Sequence, residues 1–185
     1  MQVVTIEEIK VKGLIVATCK PGAEESACYE IGDLLFHHDM RIEVEKAKFP
    51  GVVVVRTSMD SYEAFKIILS NITSYTLKAY PLASLERVLE LVAKLPGREK
   101  LEVSLRCELR GRREECPQAM KTLANMLESA GVKLGRRSKY ALHIQGVGRL
   151  QGYSLLPSNC ENLSKVYESE KLRSLCLDFV SRVLG

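Results

Sequence analysis

No two of the six cysteines, Cys19, Cys28, Cys107, Cys116, Cys160 and Cys176, form a C-x-x-C pair. With only three histidines, His37, His38 and His143, the chain offers no zinc-ligand spacing. No run approaches the roughly 18 apolar residues of a membrane-spanning helix, and no apolar core of leader length stands near Met1. Also missing are a G-x-x-x-x-G-K-[ST] loop, a glycine-rich strand-to-helix cofactor turn and an H-x-E…P-C-x-x-C deaminase signature. These absences lead us to expect a cytoplasmic protein with mostly buried thiols, no cofactor, no metal and no catalytic domain of its own. Disulfides are expected only in a chain of hyperthermophilic origin.

The most informative absence is local. From Ser129 to Cys160 there is no Asp or Glu, although the whole chain carries 23 acidic residues. The same stretch holds Lys133, Arg136, Arg137, Lys139 and Arg149. A second basic knot, Arg110-Gly111-Arg112-Arg113, lies upstream. The formal charge of +4 is mild, but its halves differ. Met1–Gly97 carries 11 basic and 13 acidic residues, whereas Arg98–Gly185 carries 16 and 10. Ten of the thirteen arginines are in the second part. Arginine suits bidentate phosphate contacts, and an unneutralised basic stretch is the electrostatic footprint of a phosphate-backbone binder. The competing reading is a solvated basic face that only keeps the protein soluble.

At 185 residues and 46% apolar content the chain can bury a substantial core. Gly13–Cys19 is a continuous apolar run of strand length. Ala27, Ile31, Leu34, Leu35 and His38 follow the helical period. Ile42 and Val44 alternate with Glu43 and Glu45, and Val52–Val55 is a fully apolar strand. Asp60 with Glu63 makes a capping box for a helix burying Ala64, Phe65, Ile68, Leu69 and Ile72. A strand over Ser74–Tyr80, closed by Pro81, completes a βαββαβ order, the ferredoxin-like arrangement.

Ser84 is the expected N-cap of a helix over Leu85–Leu95, stopped by Pro96-Gly97. Leu101, Val103, Leu105, Cys107 and Leu109 then alternate with polar residues, which predicts a sheet with one polar face open to water or ligand. Pro117 begins a helix with Ala119, Met120, Leu123, Met126, Leu127 and Ala130 inward, and Gly131 ends it. Two strands, Lys139–Gly146 and Arg149–Leu155, flank a tight Gly-Val-Gly turn. One amphipathic helix, Leu163–Leu184, is expected to close the chain. The predicted fold is α/β, divided as a ferredoxin-like unit over 1–81, a second unit with a mixed sheet over 82–157 and a C-terminal helix over 158–185.

Three segments carry a family resemblance: SLERVLELVAKLPG, LEVSLRCELRGRREECPQAMKTLANMLESAGVKLG and YALHIQGVGRLQGYSLLP. Helix, strand, basic loop, helix, strand, tight turn and strand, after a ferredoxin-like unit, resemble a THUMP domain with its N-terminal partner. The resemblance covers nearly all of Leu82–Pro157. It implies tRNA binding, which in this family usually serves a fused modifying enzyme. With no such enzyme apparent in the sequence, the chain resembles the stand-alone adaptor that assists a separate acetyltransferase in cytidine N4-acetylation of tRNA. That family's arginine motif would fall on Arg110, Arg112 and Arg113, although here Glu114 and Glu115 follow directly.

The candidate RNA-binding residues are Arg106, Arg110, Arg112, Arg113, Arg136, Arg137, Lys139 and Arg149. The competing reading of the upstream knot is an exposed salt-bridge cluster with Glu114 and Glu115. His143 and Gln145 are expected beside Arg106 on the polar sheet face; Tyr140 and Tyr153 either stack on bases or pack. Two rivals in function remain. A small ferredoxin-like enzyme such as a phosphatase would draw on Cys19 or the His37–His38 pair. A protein–protein scaffold would carry an incidental basic face.

Overall fold

The computed structural model describes residues 12–97 and 101–185; Met1–Lys12, in sequence a short lead with no clear period, lies outside it but for its last position. Strand β1 (Gly13–Cys19) is followed by helix α1 (Glu24–Phe36), strands β2 (Glu43–Lys46) and β3 (Val52–Thr57), helix α2 (Ser61–Ser70) and strand β4 (Thr76–Leu82). The expected βαββαβ order is therefore present. These strands form one sheet in the order β2-β3-β1-β4, every pair antiparallel. Central β1 and β3 are apolar on both faces because both faces are covered. On one side lie Ala27, Ile31 and Leu35 of α1 and Tyr62, Ala64, Phe65, Ile68 and Leu69 of α2, all buried. Asp60 caps α2 by accepting from the Tyr62 N–H at 2.8 Å. Ile72, expected inward, is 75% exposed, because α2 ends two residues earlier.

The second part runs α3 (Leu85–Lys94), β5 (Glu102–Arg110), a 3-10 turn (Arg113–Glu115), α4 (Cys116–Ser129), β6 (Lys133–Leu134), β7 (Tyr140–Val147), β8 (Leu150–Pro157), α5 (Leu163–Glu168) and α6 (Glu170–Leu184). Its sheet has the order β6-β5-β7-β8. β5 is parallel to both β6 and β7, and β8 returns antiparallel on β7. The mixed sheet expected here is thus present, with a short strand β6 that the sequence reading missed. Two paired residues leave too little periodicity to detect.

Three further expectations are corrected. Pro81 does not break the chain; β4 continues through it to Leu82, with Pro81 opposite Ile15 of β1. β4 is the outer strand of its sheet, and the prolines of sheets sit where a missing N–H is harmless. Ala79 donates outward to the Glu161 carbonyl (3.0 Å) and Ala83 to that of Tyr153 (2.8 Å), with Pro81 in the gap. The single C-terminal helix is two: Ser169 ends α5, and its side chain caps α6 by accepting from the Leu172 N–H at 3.2 Å. Finally, four cysteines expected as thiols form two disulfides, Cys107–Cys116 and Cys160–Cys176. The chain turns back from β5 into α4, and α6 passes beneath the loop after β8; each return brings a pair to a Cα separation of 5.7 Å. Cys19 and Cys28 are free.

One apolar core runs through both parts, from Ile15 and Phe65 to Leu142, Leu155 and Phe179. The Tyr62 hydroxyl stitches them, donating to the Leu155 carbonyl (3.1 Å) and accepting from the Leu155 N–H (3.0 Å). The end of α2 is capped from the C-terminal helices: the Tyr167 hydroxyl donates to the Ile68 carbonyl (3.0 Å) and Arg173 to that of Ser70 (2.6 Å). The last carbonyls of a helix lack the i+4 partners of its interior; that of Ile68 also accepts from the Asn71 N–H at 3.2 Å. No helix among the described residues is long and apolar enough to cross a membrane.

Candidate functional site

The polar side of the second sheet is not the open surface expected. Register sets Arg106, His143 and Ser154 in one row across β5, β7 and β8, with Glu108 and Gln145 in the next. All eight residues of β7 are buried. His143 is 1% exposed and packs against Tyr80 of β4, with ring centroids 5.1 Å apart and the planes tilted by 60°. Burial, helped by the nearby charges of Arg106 and Lys78, pushes its pKa down to about 3, so the imidazole is neutral. The physical reason is the seam with the first sheet. β4 and β8 meet at Ala83 and Tyr153, and Gly152 lets them approach: a Cβ there would lie 2.8 Å from that of Leu82. His143 and Gln145 are accordingly structural, and Arg106 alone of the row reaches water while its guanidinium meets Glu161 at 3.4 Å. Tyr140 is buried against Phe179, which leaves no face for a base. Tyr153, half-buried, takes part in the seam.

The upstream knot divides by residue. Arg110 is only 7% exposed; it donates to the Gln145 amide oxygen at 3.0 Å and pairs with Glu108 at 2.8 Å. Arg112 staples the two strand ends, donating to the Gly148 carbonyl (2.9 Å) and the Gln151 amide oxygen (3.1 Å), and pairs with Glu115 at 2.7 Å. The salt-bridge reading therefore holds for Arg112–Glu115. Arg113 is exposed and has no ion-pair partner among the described residues.

Arg136, Arg137, Lys139 and Arg149 are exposed, and none has a carboxylate partner among the described residues. The Lys139 ammonium lies 5.6 Å from the centre of the Tyr140 ring. Arg149 sits in the β7–β8 turn, beside the Arg110–Arg113 end of the sheet. Lys139 precedes β7 at the opposite end, with Arg136 and Arg137 in the turn just before it. Between the two ends the β5–β7 ladder runs from Val103↔Tyr140 to Arg110↔Val147, about 23 Å at 3.3 Å per residue. The cations thus form two clusters with Arg106 on the strand between them.

A cleft of about 510 Å³ opens at the Arg110 end, between the two sheets. Lys78, Arg110 and Arg113 line it, with Glu108 the acid among them, and Cys19 and Gly51 at its first-sheet wall. Gly111, at φ +86°, lies directly under Phe49; a Cβ there would come within 2.8 Å of the ring. Lys78 was not foreseen, since one lysine on an outer strand gives no signal until the other sheet arrives opposite. Cys19 is a poor nucleophile here: burial, then Glu24 and Cys28, push its thiol pKa up. His37 and His38 are exposed beyond the end of α1. No group of three His, Cys, Asp or Glu residues able to hold a metal occurs among the described residues.

No protein-family model and no curated protein matches this chain. It is similar in fold to the crystal structure of PH1313 from Pyrococcus horikoshii, at 14% identity and a TM-score of 0.50. The match covers 78% of this chain and 53% of that one, so this chain spans about half of PH1313. At such identity the likeness speaks to fold alone.

Proposed function

We propose that this protein is a ferredoxin-like unit joined to a THUMP-like unit, that it binds tRNA, and that it is a non-catalytic adaptor for a separate tRNA-modifying enzyme. The antiparallel β2-β3-β1-β4 order with two helices on one face supports the first name. The helix-strand-helix-strand-strand-strand succession from α3 to β8 supports the second. The observation that carries RNA binding is a set of five exposed cations without carboxylate partners among the described residues, Arg113, Arg136, Arg137, Lys139 and Arg149. Nucleic-acid phosphates are the natural counter-ions for such a set, and binding releases the cations condensed on them. Two clusters about 23 Å apart suit a backbone path along the sheet, which reads shape rather than sequence.

The adaptor role rests on the family resemblance, which points to cytidine N4-acetylation by an acetyltransferase. Filter binding of tRNA across salt concentrations tests the RNA reading. With five phosphates engaged, affinity falls on the order of a hundredfold or more between about 50 and 200 mM salt; a flat response overturns it. Reconstitution with the host acetyltransferase tests the adaptor reading separately. Cytidine acetylation that proceeds equally well without this protein rules it out.

A further inference from the structure

The second sheet has an edge that its own chain leaves unfinished. β6 pairs with β5 only at Glu102–Lys133 and Val103–Leu134, after which Gly135 donates to the Val103 carbonyl at 3.1 Å and the chain turns away. In a parallel ladder the N–H and C=O of one residue point to the same side, and alternate residues serve opposite neighbours. The carbonyls of Leu101 and Val103 face β6, so Leu105 and Cys107 face the same way, past the end of β6. No hydrogen bond meets their backbone groups on that side among the described residues. Leu109 is the next in phase, and there the Arg112 N–H closes the row at 3.1 Å.

The open edge at Leu105 lines a notch of about 520 Å³. Leu105, Met120 and Leu134 give it apolar walls; Arg106, Lys121 and Arg136 give it charge, and no carboxylate among the described residues lines it. Proteins ordinarily cover or blunt such edges. From this geometry we infer that the notch takes an extended, acidic peptide segment of another protein, added to β5 as a strand in line with β6. Two features select that occupant. Alternating free N–H and C=O groups are matched by another peptide backbone and not by a sugar-phosphate chain, which has no amide donors. Lys121 and Arg136, with no ion-pair partner among the described residues, disfavour a second copy of this chain, which would bring like charge to like. The added strand would satisfy the amides of Leu105 and Cys107, its apolar residues meeting Leu105 and Met120 and its carboxylates meeting Lys121 and Arg136.

This inference does not depend on RNA binding, and its test can fail without touching that proposal. The probe is an array of peptides in which Asp or Glu alternates with Val, Ile or Thr, alongside the same peptides with Lys in place of the acids. The intact protein should bind acidic members and not the lysine series, and amide exchange at Leu105 and Cys107 should slow on binding. Leu105→Pro removes the outward N–H at an edge position, where proline is tolerated, and should weaken binding by about tenfold or more. Lys121→Glu should weaken it severalfold and leave tRNA affinity nearly unchanged. Circular dichroism and tRNA binding report whether Leu105→Pro remains folded; if it does not, Lys121→Glu and the exchange data decide. The inference is overturned if no acidic peptide binds, if neither variant weakens binding, or if Leu105 and Cys107 become protected by self-association or by RNA.

Discussion

His143 shows most clearly how a residue's meaning depends on what folds over it. In the sequence it alternates with apolar neighbours and reads as one of a polar row. In the structure Tyr80 covers it and the imidazole is held neutral, its pKa near 3. An unfolded histidine titrates near 6.5. A folded pKa below the unfolded one means that protons bind the unfolded chain first. Its contribution therefore stays level above about pH 6.5 and is lost as pH falls from there toward 3. Each pH unit in that window costs about 1.4 kcal/mol, so urea unfolding at pH 7 and pH 5 should differ by about 2 kcal/mol from this group. His143→Phe should remove most of that difference; an unchanged pH dependence would mean that the ring is not buried as described. The neighbouring arginines carry the same lesson. Arg110, Arg112 and Arg113 are equivalent in sequence, yet one is buried on Gln145 and Glu108, one staples Gly148, and only Arg113 has no ion-pair partner among the described residues. Each has carboxylates nearby in sequence, and the partners that bury Arg110 and pin Arg112, Gln145 and Gly148, lie some 35 residues away.

Elements were legible where periodicity is long. α2, α3 and β5 fall within a few residues of their expected spans because each carries several repeats of one period, and β1 and β3 do so as continuous apolar runs. β6, with two residues, and the break at Ser169 had no such signal. The outer position of β4 decided whether Pro81 ends a strand, and that position is a property of the sheet, not of the segment. Gly152 makes a second element-scale prediction. Adding a methyl there sets it against the Leu82 side chain, forcing β8 from β4 and destabilising the protein by about 1–3 kcal/mol in chemical denaturation. The disulfide closing nine residues between β5 and α4 gives a third. In the chain-entropy model, a loop so short contributes about 2–3 kcal/mol. Paired Cys107→Ser and Cys116→Ser substitutions should lower the unfolding midpoint accordingly, while Cys28→Ser should not.

At the scale of the molecule, charge is divided between the two sheets. Lys46 is engaged by Glu25 at 2.7 Å, whereas Arg136 and Arg137 have no such partner among the described residues. Reversing Arg136 and Arg137 to Glu should lower tRNA affinity across sequences and reduce the salt slope by roughly two. The same change at Lys46 and Lys48 should do much less, and thermal unfolding of both variants should stay near wild type. Intact affinity in the first variant with loss in the second would move the RNA face to the first sheet. The division of charge was legible in the sequence; the separation of its two clusters required the β5–β7 register. The shared core has a consequence for how the protein is made. Tyr167 and Arg173 meet α2 across sequence separations of 99 and 103 residues. At roughly 5–20 residues per second, the ribosome leaves that side of α2 uncovered for on the order of 5–20 s. For that interval the C-terminal helices of one nascent chain can close on the α2 of another, which makes synthesis on crowded polysomes the step most exposed to exchange between copies.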